Sequence, residues 1–179
     1  MSDEHTDQVP ARPLIALMGV SGSGKTTVGT MLASRLGIAF AEADDFHPPA
    51  NVAKMAAGIP LDDSDRLPWL EAIGRWLEAR GDDGGLVTCS ALRRSYRDRL
   101  RRHTPRLCFL HLDGPAELLA RRIAQRKGHF MPVSLLRSQL ETLEELQDDE
   151  RGAVVDIDGD PEQVVRRAAL AVQTCRATG

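Results

Sequence analysis

The sequence of 179 residues predicts an α/β domain, a five-stranded parallel sheet with helices on both faces. Two patterns lead there. Five short runs are apolar almost throughout, as strands buried on both sides are. Segments with apolar residues at helical spacing separate them, so helical crossovers join consecutive strands. The length fits one domain, and folding at this size hides roughly 70% of the extended chain's surface, enough for a real core.

Residues 1–12 are polar, acidic and without periodicity, which predicts a disordered leader before one domain at 13–179. LIALMG (14–19) ends in glycine and reads as the first strand. Residues 24–36 place Val28, Met31, Leu32 and Leu36 on a helical repeat that stops at Gly37. IAFAEADD (38–45) is a second strand ending in two carboxylates. Residues 47–58 carry prolines in their first turn and a closing glycine, as a short helix does. A longer helix follows at 64–80, and DDGG (82–85) turns the chain into the third strand, LVTCSAL (86–92). A strongly basic helix at 93–103, read as a surface face, leads to the fourth strand, LCFLHLDG (107–114). Helical spacing returns at 116–127, breaks between Gly128 and Pro132, and resumes at 133–147. AVVDIDG (153–159) is the fifth strand, and 161–175 the closing helix.

Composition narrows the function. The formal charge is −3, whereas nucleic acid or an anionic membrane surface calls for a net basic face, so neither is an expected partner. No apolar run approaches the 18 residues of a membrane span. The first residues lack the basic and apolar regions of a signal peptide, so the expected location is cytoplasmic. Cys89 and Cys108 lie in apolar runs and Cys175 near the end; an odd count without C-x-x-C predicts buried reduced thiols and no zinc site. The histidines take no metal-ligand spacing.

The strongest signal is Gly19, Val20, Ser21, Gly22, Ser23, Gly24, Lys25 and Thr26, a match to G-x-x-x-x-G-K-[ST] between a buried strand and a helix. The glycines let the backbone turn tightly and aim several N–H groups into one concavity, a nest for phosphate oxygens. The helix start adds its positive end, beside Thr27. Lys25, one of only three lysines in the chain, brings a cation to the β- and γ-phosphates, and the Thr26 hydroxyl is a candidate magnesium ligand. ATP with Mg2+ is the implied cofactor pair.

In an open parallel sheet, ligands bind beyond the carboxyl ends of the strands. Strand two ends at Asp44 and Asp45, and strand three near Ser90, so these tips face the γ-phosphate. A carboxylate there can orient or deprotonate an attacking hydroxyl. Glu42 is a weaker second candidate. Arg66 either pairs with neighbouring acids or clamps an anionic acceptor. Lys54 and His47 are either solvated helix residues or substrate contacts. Arg122, Arg126, Lys127 and His129 cluster about Gly128, where a mobile basic segment, a lid at about 120–147, would neutralise charge developing on the phosphates. DxxG at Asp82 and Asp156 has no accompanying N-K-x-D, since Asn51 is the only asparagine.

MGVSGSGKTTVG (18–29), DDFHPPANVAKMAAGIPLDDSDRLPWL (44–70), CSALRRSYRDRLR (89–101), RKGHFMP (126–132) and QLETLE (139–144) together resemble bacterial gluconokinases of the small P-loop type. The resemblance runs from about residue 14 to 176. It implies a P-loop kinase fold with a mobile lid, and phosphorylation of the terminal hydroxyl of D-gluconate by ATP and magnesium in a cytoplasmic, often homodimeric enzyme. Carried over by position, residues 19–27 hold phosphate and magnesium. Asp44 aligns or deprotonates the acceptor hydroxyl, with Asp45 left open as the alternative. His47, Lys54, Arg66 and His129 contact the acceptor. Arg122, Arg126 and Lys127 belong to the lid, and Lys25, Asp44 and Arg126 act on the transferring group. Ala43 stands where many relatives have glycine, which puts the local backbone in question.

Overall fold

The first strand shows why the apolar runs do not alternate. The computed structural model describes residues 9–126 and 133–177, and in it β1 (Leu14–Met18) is buried at every position. It is the middle of a five-stranded, wholly parallel sheet, flanked by β3 (Gly85–Thr88) and β4 (Cys108–Asp113). β2 (Ala39–Glu42) and β5 (Gly152–Asp156) form the edges, giving the order β2-β3-β1-β4-β5. Leu14, Ala16 and Met18 enter a core with Leu70, Ile73 and Leu77 of α3 (Asp63–Arg80) and Leu100 of α4 (Arg94–His103). Ile15 and Leu17 point the other way, into a core with Val28 and Leu32 of α1 (Lys25–Leu36) and Val164, Val165 and Ala168 of α7 (Pro161–Ala177). Alternate residues of one strand thus feed two cores, and both must be apolar. Edge strands are covered less: all of β2 is only half-buried, and Val154 of β5 is exposed. The remaining helices are α2 (Pro49–Ala56), α5 (Ala116–Ala124) and α6 (Val133–Thr142).

Several expectations are corrected by tertiary contacts. β2 stops at Glu42, and residues Ala43–Phe46 form a 3-10 turn, so both aspartates sit on a turn rather than a strand. The Trp69 indole N–H donates to Ala43 O at 2.7 Å and fixes that turn from α3. β3 ends at Thr88, and Ala91 beyond it has φ +44°, the only positive value at a non-glycine among the described residues. Ala43 is not one of them, so no glycine is required there.

The basic run at 93–102 is not uniformly a solvated face. Arg97 has no side-chain exposure, and it donates to the carbonyls of Ala91 at 3.0 Å and Leu92 at 3.4 Å. It thereby braces the left-handed residue at the tip of β3. Its ion pair is Glu150, equally enclosed, at 2.8 Å. Burial opposes ionisation of Glu150, but hydrogen bonds from Arg97, the Gln147 N–H and Arg101 outweigh it and hold the carboxyl down at about 2. The helix expected to run to 147 stops at Thr142. Glu144 N–H then donates to Leu92 O at 2.7 Å, and the Glu144 carboxylate accepts the Arg94 N–H at 2.6 Å, turning the chain across the β3 tip.

Residues 11 and 12, placed by the sequence at the inner end of the expected leader, are bound to the domain. Ala11 O accepts from Arg176, and Arg12 bonds to Asp82 O and Gly37 O. The three cysteines are not all thiols. Cys108, opening β4, and Cys175, near the end of α7, form a disulfide with Cα atoms 6.2 Å apart. Cysteine parity leaves one residue over, the buried free Cys89, but carries no information about which elements meet. Among the described residues no helix is long and apolar enough to cross a membrane.

Candidate active site

β1 delivers the chain into the loop 19–24, and α1 starts at Lys25 from a left-handed Gly24 cap. Glycine is required at two positions by close approach. A Cβ on Gly19 (φ +149°) would lie 2.8 Å from Leu112 O, and one on Gly22 (φ +84°) 2.8 Å from the Ile123 side chain and 2.9 Å from Leu119 O. The loop therefore rests directly on the end of β4 and on α5. The buried Ser23 hydroxyl donates to Val20 O at 2.7 Å and braces it from within. Lys25 Nζ donates to Gly19 O at 2.8 Å and Val20 O at 3.1 Å. Burial lowers its pKa to about 8, and the nearby Arg126 guanidinium acts in the same direction.

A cavity of about 280 Å³ opens over this loop. Ser21, Gly22, Lys25 and Thr26 line it from the loop, Glu42, Asp44 and Ser90 from the ends of β2 and β3, and Arg126 contributes a second cation. Main-chain N–H groups, an ammonium and a guanidinium around one space match the donor set of a polyphosphate site. The Thr26 hydroxyl in that lining suits a phosphate-bound magnesium ion. Thr27 is exposed on α1 and does not line this cavity. Glu42 accepts the Thr88 hydroxyl at 2.5 Å, a contact that holds the edge strand to β3.

A second cavity, about 340 Å³, adjoins the first, and the two share Asp44, Trp69, Ser90 and Gln139. Its other polar lining includes His47, Arg66, Arg93 and Tyr96, with Ser138 and Thr142. Trp69 does two things here. It anchors the turn that carries Asp44, and its ring stacks on His47, centroids 4.6 Å apart and planes 8° from parallel. Burial lowers the His47 pKa, which keeps the ring neutral at pH 7. Asn51 fixes the ring's far side, with Nδ2 3.3 Å from His47 Nδ1 and 2.8 Å from Asp65 O. The guanidinium carbons of Arg66 and Arg93 lie 5.8 and 5.9 Å from the Tyr96 ring centre. Asp63 lies 3.8 Å from Arg66 and 3.9 Å from Arg93, and accepts the Tyr96 hydroxyl at 2.6 Å. Two cations against one carboxylate leave this wall with a positive excess, suited to a small organic anion.

Comparison with known proteins agrees with this geometry. The shikimate kinase family model matches residues 21–169. A gluconokinase from Gluconobacter oxydans is 52% identical over 150 residues, covering 82% of this chain and 84% of its own. The thermosensitive gluconokinase of Escherichia coli is 46% identical over 166 residues, 89% of each chain. The chain belongs to the gluconokinase family. A crystal structure of a gluconokinase from Sinorhizobium meliloti superposes with a TM-score of 0.83 at 47% identity, covering 93% of this chain and 94% of that one.

Within this gluconokinase framework, not every expected residue reaches the cavities. Asp44 sits at their junction, its side chain 93% exposed, whereas Asp45 lines neither. His47, Arg66 and Arg126 line one or the other. Lys54 does not: its Nζ lies 2.8 Å from both Asp65 oxygens, and that hydrogen bond raises its pKa. Arg122 is directed away as well, donating to Ile157 O at 2.7 Å and Gly159 O at 3.3 Å. Lys127 and His129 lie outside the described residues, as does the whole of 127–132 within the expected lid. Sequence reasoning misses Trp69, Tyr96 and Gln139 as site residues and places Arg93 only at the strand-three tip facing the γ-phosphate, with no binding role. All four fall inside segments that carry the family resemblance, but nothing local to them signals a site.

Proposed function

We propose that the protein is a gluconokinase, transferring the γ-phosphoryl group of ATP to the terminal hydroxyl of D-gluconate to give 6-phospho-D-gluconate and ADP. The observation that carries this reading is the position of Asp44 where a phosphate-type cavity meets a cavity with an anion-binding wall. A hydroxyl held in the second cavity would lie beside the Asp44 carboxylate and face the phosphoryl group in the first. Its oxygen bonds to the γ-phosphorus as the bridge to the β-phosphate breaks; its proton passes to Asp44 and then to solvent. The transition state is loose, so catalysis rests on alignment and charge stabilisation.

Loop N–H groups, Lys25 and Arg126 bind and neutralise the phosphates. Magnesium held by Thr26 and the nucleotide supplies further charge neutralisation when bound. Arg66 and Arg93 take the gluconate carboxylate, and neutral His47 hydrogen-bonds a hydroxyl. Lys54 and Arg122 act structurally, at the α2–α3 junction and at the end of β5. Within the expected lid at about 120–147, Arg126 and Lys127 close over the phosphates, while Arg122, Leu136 and Glu144 stay fixed to the domain. On the same reading the enzyme is a cytoplasmic homodimer, which light scattering after gel filtration tests.

An ADP-release assay with Mg-ATP and a panel of sugar acids tests the activity. D-Gluconate is expected to give saturable turnover far above the ATPase background. Turnover on shikimate with none on gluconate would overturn the assignment.

A further inference from the structure

One hydrogen bond crosses the phosphate loop from far away in sequence. The Ser21 N–H donates to the side-chain carbonyl of Gln139 at 2.7 Å, across 118 residues. Because the donor is a backbone N–H, the Gln139 amide must present its oxygen there, which fixes its orientation. Gln139 belongs to α6, whose Leu136, one turn earlier, is buried in the core and sets that face inward. Just past the end of the same helix, Glu144 is tied to the β3 tip. Gln139 is therefore held at a defined place: it touches the phosphate loop and lines both cavities beside Asp44.

A backbone N–H has one proton to donate. Ser21 lines the same cavity as Lys25 and Thr26, so a phosphate oxygen seated on its N–H would compete with Gln139 for that single proton. The amide oxygen occupies the position a phosphate oxygen would take on that donor. We propose that Gln139 is a positioning residue that exchanges partners. Phosphate displaces its carbonyl from Ser21, and the released amide, with two donors and one acceptor, hydrogen-bonds a hydroxyl of the polyol in the adjoining cavity. Nucleotide binding then prepares the acceptor site, and by reciprocity the acceptor favours nucleotide. This rests on the gluconokinase reading for the identity of the acceptor, but not for the displacement itself.

The test is calorimetric titration of the whole protein with D-gluconate, alone and with a saturating non-hydrolysable ATP analogue and Mg2+. The same titrations are run on Gln139→Ala, after a melt establishes that the variant is folded. In the wild type the analogue is expected to tighten gluconate binding by about tenfold, within the usual range of coupling between sites. In Gln139→Ala that ratio falls to within about twofold of one, while the analogue alone binds at least as tightly as to the wild type, because its competitor is gone. A merely structural glutamine would weaken both ligands and leave the ratio intact. An unchanged ratio in the variant, a wild-type ratio of one, or weaker analogue binding by the variant overturns the proposal. If wild-type protein binds no gluconate in either condition, the substrate reading fails. The analogue titrations then decide displacement alone: tighter binding by the variant upholds it, and weaker binding overturns it.

Discussion

Lys25 lies against the loop it serves, and its burial sets a pH limit. An ordinary lysine keeps its proton to about 10.5, whereas this one loses it at about 8. In the free enzyme the ammonium is therefore depleted above pH 8, while bound phosphates restore it. kcat/KM for ATP is expected to fall about tenfold per pH unit above 8, with the kcat limb displaced to higher pH, because the first reports free enzyme and the second the complex. A pH profile reaching 10 checks this, and coincident limbs would refute it. The same shift means the unfolded chain binds the extra proton between about 8 and 10.5, so this group's contribution to stability rises with pH there. Asp44 gives a second prediction. Asp44→Asn should lower kcat by roughly 10²- to 10⁴-fold, with ATP affinity nearly unchanged, while Asp45→Asn stays near wild type because Asp45 lines neither cavity. Steady-state kinetics with direct nucleotide titration separates the two. The phosphate loop was legible in the sequence because its requirements are local: glycine, lysine and threonine at fixed spacing. Lys54 and Arg122 were not, because a cation's charge does not name its partner. Asp65 lies 11 residues from Lys54, and Ile157 O lies 35 from Arg122.

At the level of elements, apolar runs and helical repeats located all five strands and the helices between them, since burial on two faces writes itself into composition. The edges were less legible. The apolar run overextends β2, because its last residues leave the sheet for a turn pinned by Trp69, a contact 26 residues away. The interior role of Arg97 was hidden for a related reason. An arginine in a basic helix reads as solvated until Glu150, 53 residues on, is seen to meet it. That pair supports the β3 tip, which lines the second cavity through Ser90, Leu92 and Arg93. Glu150→Gln removes the charge and leaves Arg97 buried without its counter-ion, expected to cost about 3–5 kcal/mol. Urea unfolding at pH 7 measures it; a change under about 1 kcal/mol would contradict the role given to the pair. The folded pKa of Glu150 is depressed, so its contribution is complete above the unfolded value of 4.5 and is lost as pH falls toward 2.

Across the whole molecule, the sheet order brings sequence-distant elements together, and the cysteines record one such meeting. β4 lies beside the central strand, and the core of its α1–α7 face includes both Cys108 and Cys175. The disulfide joins the start of β4 to the end of the last helix, closing a span of 67 residues. Cys89, on the opposite core, is beyond its reach, and burial pushes its thiol up to about 12, so it stays inert in the folded protein. Protein purified in air and denatured without reductant is therefore expected to show one titratable thiol, and three after reduction. A loop of this length constrains the unfolded chain, so reduction should lower stability by about 2–4 kcal/mol, seen as a lower urea midpoint. In a reducing cytoplasm the same pair is expected as dithiol, because glutathione and thioredoxin oppose the bridge. Alkylation in intact cells before lysis separates the two conditions. Three thiols in the air-exposed protein would mean that α7 does not hold Cys175 against β4, and that the tie between the sheet and its closing helix is packing alone.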